Sequence, residues 1–130
     1  QYKTNNRRSD QVINVKDQVY RALKGVCKNT MDSYPPQPDK LPFIFYAEEQ
    51  NKVVEWTDNR EQKAQLRYRI EIWSNSSTSQ MALDVDAAIS KLGLIRTDCN
   101  DNNGERKCKL MRYEGIIDVN DETVYWNFEQ

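Results

Sequence analysis

One stretch of eleven residues decides the fold: residues 64–74 read Ala-Gln-Leu-Arg-Tyr-Arg-Ile-Glu-Ile-Trp-Ser. Its even-numbered positions, from Ala64 to Ile72, are apolar or aromatic, whereas its odd-numbered positions carry charged or amide side chains and Trp73. Side chains on a β-strand alternate between two faces, but a helix would scatter these apolar residues around its whole circumference. We therefore predict a central or near-central strand with one face towards the core.

The odd-numbered face of this strand carries Arg67, Arg69, Glu71 and Trp73. Charged residues on a strand most often form a solvated surface, which is the simpler interpretation. Trp and Arg are also the residue types that anchor protein interfaces. We predict these four residues as an interface with another subunit or a partner.

The overall composition predicts one soluble domain without a membrane or polyanion partner. The 130 residues include 19 Lys and Arg against 20 Asp and Glu, which gives a net charge of −1. This balance provides no overall attraction to nucleic acid or to an acidic membrane. No apolar run approaches the roughly 20 residues that span a bilayer, and no signal-peptide pattern opens the chain, so we expect an intracellular protein.

The absence of certain residues and motifs excludes several classes of catalytic and metal site. The chain has no histidine, and therefore no imidazole base, no histidine-based triad and no histidine metal ligand. Its three cysteines lack Cys-x-x-Cys spacing, so we predict reduced thiols without a zinc site or a disulfide framework. The glycine-rich phosphate loops and the Gly-x-Ser-x-Gly elbow are also missing. We predict no catalytic residue, cofactor, metal or enzymatic activity; the alternative is a divalent-metal nuclease built from scattered Asp and Glu.

The first part of the chain predicts an arm followed by a helix. Residues 1–9 are polar and aperiodic, which favours a mobile N-terminal arm. Apolar residues then recur at helical spacing over residues 10–26, with Ser9 or Asp10 as the N-cap. We expect Cys27 to be a small core residue of the last helical turn.

The next segment predicts extended chain and a strand. Residues 30–42 contain all four prolines, which excludes a helix and favours an extended connection to the edge of a sheet. Residues 43–49 form an apolar run of strand length, which residues 53–56 extend or re-pair. Residues 57–63 are strongly polar, and we predict an exposed loop there.

A second helix is predicted after residue 77. Ser77 and Gln80 have the spacing of a capping box, and Gly93 is placed to end the helix in the left-handed conformation. Asp84 and Asp86 point about 200° apart on such a helix and cannot share a metal ion. The predicted buried stripe is Met81, Val85, Ala88, Ile89 and Leu92.

Two strands, residues 94–98 and 107–119, are predicted around the dipeptide Asn103-Gly104, a strong hairpin signal. A two-residue turn there would place Cys99 opposite Cys108, within disulfide reach but reduced. The alternative is a longer, irregular loop that leaves the two sulfurs unrelated. The same turn predicts the pairs Asp98–Lys109 and Asp101–Arg106.

Later residues predict two further features. Gly115 suggests a β-bulge or a close backbone approach in the second strand of the hairpin. Residues 120–130 predict a short strand or an apolar arm, in which we count Trp126 and Phe128 as further interface residues. The predicted order is α-β-β-α-β-β, an α+β domain over residues 10–119 with two helices on one face of a mainly antiparallel sheet.

An ordered set of motifs resembles the tail terminator, or tail-completion, proteins of long-tailed phages and prophages. The set extends over about residues 10–118. It comprises Val19-Tyr20-Arg21-Ala22-Leu23, Tyr34-Pro35, Leu41-Pro42, Tyr68–Ser74, a helix ending at Leu92-Gly93, Arg96-Thr97 and Met111–Asp118.

The resemblance implies a mixed α/β fold and a hexameric ring that caps the tail tube. It further implies contacts with the tail tube protein and with the head connector or stopper protein, and DNA that only passes through the lumen. Such a protein resides in the virion and assembles in the host cytoplasm. The arm and the aromatic C-terminal residues have no match, so both partner contacts are unassigned. The alternatives are a head-completion or adaptor protein of the same neck, a nucleic-acid-processing enzyme and a monomeric binding module.

Overall fold

The stretch at residues 64–74 lies in the middle of a mixed β-sheet. A computed structural model describes residues 15–33, 41–57, 60–103, 107–118 and 124–125. The helices are α1 (Lys16–Lys24) and α2 (Ser79–Ser90). The strands are β1 (Thr30–Met31), β2 (Phe43–Thr57), β3 (Arg60–Ser74), β4 (Ile95–Asn103), β5 (Lys107–Asp118) and β6 (Val124–Tyr125).

The strands lie in the order β1-β2-β3-β5-β4, and β6 pairs with β5. β1 runs parallel to β2, and the other pairs are antiparallel. β3 pairs with one side of β5 from Lys107 to Asp118, so β4 and β6 share the other side of β5. β4 begins opposite Glu114, and β6 pairs beyond that point with Ile116 and Ile117. The central position predicted for residues 64–74 is confirmed.

One face of the sheet carries the core. The even-numbered side chains of β3 from Ala64 to Ile72 are all fully buried, and Ile44 and Tyr46 of β2 stand in the same cross-strand rows. Both helices cover this face with pairs of buried residues, Val19 and Leu23 from α1 and Val85 and Ile89 from α2. The two-layer α+β architecture is confirmed.

α1 is shorter than the predicted helix over residues 10–26. Val15 is the N-cap and makes no side-chain capping bond; Ser9 and Asp10 lie outside the described residues. Gly25 occupies the C-cap position, since glycine favours helix ends over helix interiors. Cys27 therefore lies beyond the helix, although it packs partly buried against the core as expected.

α2 begins differently from the capping-box prediction. Thr78 is the N-cap, and the backbone N–H of Ser79 donates to Ser77 Oγ at 3.2 Å. Gln80 donates from its amide to Asp84 Oδ1 at 3.0 Å, so its side chain does not reach back to close a box. Gly93, just after the helix, has a φ of 95°, which confirms the predicted left-handed residue.

The predicted loop at residues 57–63 is wrong. β2 continues to Thr57, which pairs with Arg60, and β3 runs from Arg60 onward. Ladder bonds join backbone groups, so a polar stretch can extend a hairpin without an apolar pattern. Residues 53–56 were predicted either to extend the strand of residues 43–49 or to re-pair it, and they extend it as part of β2.

The predicted register of the β4–β5 hairpin is also wrong. β4 runs to Asn103, which pairs with Lys107, so three residues, 104–106, connect the strands. Cys99 pairs with Met111, and Cys108 pairs with Asn102 and Trp73. An odd shift moves side chains to the opposite face. The two sulfurs are therefore not cross-strand neighbours, and the predicted pairs become Asp98–Arg112 and Asp101–Lys109.

Two remaining expectations have mixed outcomes. Gly115 pairs with Leu66 in a regular part of the β3–β5 ladder, whereas the bulge of this region lies in β4 between Arg96 and Asp98. The short C-terminal strand is confirmed as β6, and Trp126 and Phe128 lie outside the described residues. Within the described ranges, no helix has the length and apolar character needed to cross a membrane.

Candidate functional site

The sheet face opposite the helices, which we call the outer sheet face, brings together the four interface residues predicted on β3. In cross-strand register, Trp73 lies between Phe43 and Cys108, and Glu71 lies between Phe45 and Leu110. Further rows place Ala47, Arg69, Arg112 and Asp98 side by side. The outer sheet face therefore combines an aromatic end with a charged centre.

A single carboxylate, Glu49 of β2, lies at this charged centre. Its Oε2 is 2.7 Å from Arg69 Nη1, and its Oε1 accepts from Arg112 Nε at 3.0 Å. Arg67 Nε lies 3.2 Å from Oε1. Because Arg112 belongs to β5, the Glu49 side chain reaches across β3. Three arginines of two strands thus converge on one glutamate.

Glu49 lies at a β-bulge of β2. Glu48 pairs with Tyr68, but the next paired residue is Gln50, opposite Arg67, so Glu49 is the extra residue. Glu48 serves the other face, where its Oε1 accepts a hydrogen bond from Tyr68 Oη at 2.7 Å. Glu48 and Glu49 face opposite sides as consecutive strand residues do, and the bulge then places Gln50, which is paired with Arg67, on the outer sheet face as well.

Glu71 holds the aromatic end of the outer sheet face. It is only 6% exposed, and its two oxygens accept from Trp73 Nε1 at 2.9 Å and from Arg69 Nε at 3.0 Å. The Trp73 ring stacks on Phe43 at a centroid distance of 6.0 Å and an interplanar angle of 14°. These contacts hold Trp73 and Arg69 in defined orientations.

The charges of this cluster balance. Arg67, Arg69 and Arg112 face Glu49 and Glu71, and Asp98 lies 3.3 Å from Arg112 Nη1. Three positive groups therefore meet three negative ones. A surface of this kind favours shape-specific contacts over general attraction to polyanions.

Arg67 is the least firmly held of the three arginines. Its distance to Glu49 qualifies as an ion pair, yet its buried Nε makes no hydrogen bond of acceptable geometry. Direction as well as distance decides the strength of a guanidinium–carboxylate contact, so this ion pair is weak. The Arg67 side chain is 39% exposed, more than that of either other arginine of the cluster.

The contacts of this cluster shift the pKa values of Glu49 and Arg69. Burial raises the pKa of Glu49, but hydrogen bonds and charge from Arg112 and Arg69 outweigh it, and the pKa lies below its ordinary value. For Arg69, burial lowers the pKa, but hydrogen bonding to Glu49 and the charge of Glu71 outweigh it and raise the pKa. Both partners are therefore ionised at neutral pH.

The lowered pKa of Glu49 predicts an acid-dependent contribution to stability. That contribution is fully present above the unfolded-state pKa of about 4.3 and is lost as the pH falls through the lower folded-state value. Unfolding of the wild type and of Glu49→Gln, measured from pH 7 to pH 2.5, should differ most at neutral pH and converge in acid. A constant difference across this range would contradict the prediction.

Two buried tyrosines of the central strands bind carboxylates on the core side. Burial, and then hydrogen bonding to Glu48, raise the pKa of Tyr68. The same causes act on Tyr113, which donates to Asp86 Oδ1 at 2.7 Å, so its pKa is raised too. Asp86 also lies 3.3 Å from Arg96 Nη1, so it is a structural group that joins α2 to β4 and β5. In the part of the chain that the structure describes, no three Cys, Asp or Glu side chains are grouped to hold a metal.

The free thiols play no visible part in this site. Cys108 is 6% exposed, and burial, then the charges of Glu71 and Asp101, raise its pKa to about 11. A thiol in that state reacts slowly as a nucleophile. Cys27, Cys99 and Cys108 are all unpaired.

Sequence reasoning missed Glu49, Arg112 and Asp98. These residues are far apart in the chain, and only the strand order β2-β3-β5-β4 brings them together. The apolar run at residues 43–49 predicted a strand, but nothing in it signalled a bulge. Arg112 belongs to the Met111–Asp118 motif, and this was the one feature of the sequence that could have identified it as a site residue.

Comparisons with known proteins give a structural likeness but no sequence match. No family model matches the chain, and no curated protein matches it. The fold is similar to a chain in the solved structure titled "Virion of native gene transfer agent (GTA) particle". The likeness has a TM-score of 0.48 at 16% sequence identity and covers 74% of this chain and 90% of that chain.

Proposed function

We propose that this protein is a structural virion assembly protein, a tail terminator that forms a ring on the phage tail tube and joins it to the head connector. The ordered motifs between residues 10 and 118 suggest this function. Its task is geometric: it presents fixed surfaces to copies of itself and to the two neighbouring components of the particle. Trp73, Arg67 and Arg69 are the interface residues of this proposal.

The arrangement of two motifs supports the proposal. Tyr68–Ser74 lies in β3 and Met111–Asp118 in β5, and these strands are hydrogen-bonded neighbours in register. Their charged residues meet in the Glu49 network of the outer sheet face. Side chains that are already ordered lose less conformational freedom on association, which suits a surface built for assembly.

A ring requires only one repeated contact. Each copy in a closed ring uses one patch to bind a different, complementary patch on its neighbour. Native mass spectrometry and electron microscopy of the purified protein test this directly. We expect a closed hexamer that binds isolated tail tubes in preference to tailless heads.

Other outcomes of this experiment have defined meanings. A chain that is monomeric at every concentration and does not bind tail tubes would overturn the proposal. Binding to tailless heads without binding to tubes would instead support the head-completion or adaptor alternative.

The charge balance of the sheet predicts weak binding to duplex DNA. Arg69 and Arg112 are paired with Glu49, and Lys109 Nζ lies 2.7 Å from Asp101. Because phosphate contacts by unpaired cations supply most non-specific affinity, we expect a Kd weaker than about 10⁻⁵ M at physiological salt. Fluorescence anisotropy of a labelled duplex over a salt series measures this. Tight binding with a steep salt dependence would contradict the prediction and would favour a DNA-gripping lumen.

A further inference from the structure

A cleft lies on the helix side of the subunit, where the start of α1 faces the β1 end of the sheet. We call it the tyrosine cleft; its lining residues are Lys16, Asp17 and Tyr20 of α1, Asp32 just after β1 and Tyr46 of β2. Its volume of about 240 Å³ is below the range of about 300–1,000 Å³ that is typical of pockets for drug-sized ligands. The cleft therefore suits a single side chain or a molecule of similar size.

Tyr46 gives the tyrosine cleft a hydroxyl group without a partner in the described part of the chain. Tyr46 is 6% exposed, and its ring lies against that of Tyr20, with 6.0 Å between the centroids. The other two tyrosines of the buried core, Tyr68 and Tyr113, each donate to a carboxylate at 2.7 Å. Over the described ranges the Tyr46 hydroxyl makes no such bond, although its oxygen is not sealed from solvent. Hydroxyls of buried side chains normally have a hydrogen-bond partner, so this group is available to a ligand.

The electrostatic environment of the Tyr46 hydroxyl is negative. Burial raises the pKa of Tyr46, and the charge of Asp32, the neighbouring Tyr20 and the charge of Asp17 raise it further. Lys16 Nζ lies 5.7 Å from the centroid of the same ring, yet the pKa is still raised. A positively charged ligand is therefore favoured at this position.

The two carboxylates of the tyrosine cleft can accept a further cation. Asp32 Oδ2 pairs with Lys16 Nζ at 3.1 Å, and Asp17 Oδ2 pairs with Arg21 Nη2 at 2.6 Å. The four side chains are 39–73% exposed, and exposed pairs of this kind are weak and can be exchanged. Each carboxylate also has lone pairs for a second donor.

The tyrosine rings of the cleft accept cations as well. Lys16 Nζ lies 5.7 Å from the Tyr46 centroid, and Lys24 Nζ lies 5.6 Å from the Tyr20 centroid. Both distances are within the limit of about 6 Å for a cation–π contact. Aromatic surface beside carboxylates favours a guanidinium group, because this group is planar, stacks on rings and is more weakly hydrated than an ammonium.

We propose that the tyrosine cleft binds the guanidinium group of an arginine side chain from a partner protein. Asp32 and Asp17 accept its N–H groups, Tyr46 Oη accepts a further one, and the tyrosine rings provide a surface for stacking. Five N–H donors can serve acceptors from three different elements at once, which the compact ammonium of a lysine does less well. The inference does not depend on the proposed ring.

NMR titration of the isotope-labelled full-length protein with N-acetyl-arginine amide tests this site. The backbone amide signals of residues 16–20, 32 and 46 should shift together with a Kd of about 1–10 mM, the affinity expected of a single side chain. N-acetyl-citrulline amide has nearly the same shape without the charge and should cause no shift at the same concentrations. Every sample is held at one ionic strength, because salt screens such contacts.

Three substitutions should change this affinity in different directions. Asp32→Asn should weaken binding of N-acetyl-arginine amide about tenfold, because it removes a charge-assisted hydrogen bond. Tyr46→Phe should weaken it about two- to tenfold, the effect of one neutral hydrogen bond, while it retains the buried ring. Lys16→Met should instead tighten binding about threefold, because it removes the competing ammonium of an exposed pair.

Asp84→Asn is the matched control for these variants. It makes the same charge change as Asp32→Asn at an exposed aspartate of α2 that does not line the tyrosine cleft, so it should leave binding unchanged. Absence of saturable shifts, or unchanged binding with both Asp32→Asn and Tyr46→Phe, would overturn the proposal. Weaker binding with Lys16→Met would overturn it too, since that result indicates an anion site.

Two further ligand results would count against the guanidinium assignment. Equal shifts with the citrulline amide would show that charge plays no part. Equal affinity for N-acetyl-lysine amide would show a general cation site. Rings that form normally while the titration fails would overturn the cleft as a binding site and leave the proposed function standing.

Once binding is shown, sedimentation velocity identifies the source of the arginine. Weaker self-association with Asp32→Asn but not with Asp84→Asn would assign the arginine to a second copy of this chain. Self-association equal to that of the wild type in both variants would assign it to a different protein.

Discussion

Ile70→Ala should lower the free energy of unfolding by about 2–5 kcal/mol, the usual cost of truncating a fully buried aliphatic side chain. Ile70 is fully buried at the centre of β3, where it pairs with Tyr46 on one side and Met111 on the other. Strands on both sides and the helix layer above restrict how far the surroundings can collapse into the vacated space. Urea unfolding at neutral pH measures the loss as a lower midpoint with an unchanged slope.

Leu83→Ala is the matched control for this experiment. Leu83 is a large aliphatic residue of α2 that is 65% exposed, and alanine is at least as good a helix former. We expect a change within about 0.5 kcal/mol, as for most surface substitutions. Similar losses from Ile70→Ala and Leu83→Ala would show that the buried face of the sheet is assigned wrongly.

Glu49→Gln should lower the free energy of unfolding by about 1–3 kcal/mol, between the cost of breaking a buried ion pair and that of losing an exposed one. Glu49 is 17% exposed, and its arginine partners are 26–39% exposed, so solvent screens the network only in part. Arg69 and Arg112 are direct cross-strand neighbours, and like charges in that position repel each other. The Glu49 carboxylate contacts both guanidinium groups and so offsets this repulsion.

A double-mutant cycle separates repulsion from simple loss of packing. Arg112→Met in the Glu49→Gln background should recover part of the lost stability, because it removes one of the two repelling charges. Asp17→Asn is the control for an exposed pair, with an expected loss of about 0.5 kcal/mol or less. If Arg112→Met costs as much in the Glu49→Gln background as it does in the wild type, the two residues are not coupled.

The sequence predicted those parts of the fold that depend on local periodicity. Alternation over residues 64–74 identified β3, its buried face and its central position, because one buried face forces a period of two. The buried Val85 and Ile89 of α2 and the role of Gly93 followed in the same way, although Ala82 packs against the core in place of the predicted Ala88. These features are settled by residues within one element.

The hairpin connection and the N-cap of α2 were not predictable, because in each case the local sequence allows two conformations of similar free energy. Asn103-Gly104 favours a two-residue turn, but a three-residue connection extends β4 to Asn103 and aligns Asp101 with Lys109. Ser77 and Thr78 are both acceptable N-caps, and the chain uses the buried Thr78. Differences between acceptable N-caps are about 1 kcal/mol or less, which packing elsewhere can reverse.

The candidate site was half predictable for a different reason. Arg67, Arg69, Glu71 and Trp73 share one strand, so their common face followed from alternation. Glu49 of β2 and Arg112 of β5, which complete the network, come from other strands, and no local pattern specifies which strands become neighbours. Charge balance is thus a property of the assembled sheet and not of any single segment.

Because of the bulge at Glu49, β2 contains a residue that has no partner in β3. Glu48 is aligned with Tyr68 and Gln50 with Arg67, successive residues of β3, so the ladder has no partner position for Glu49. Excising this one residue would leave the alignment of Gln50 with Arg67 and of Asn51 with Leu66 as it stands, and would only straighten the strand. β2 therefore contains at this point one residue that the ladder does not pair, and that residue supplies the carboxylate that contacts three arginines.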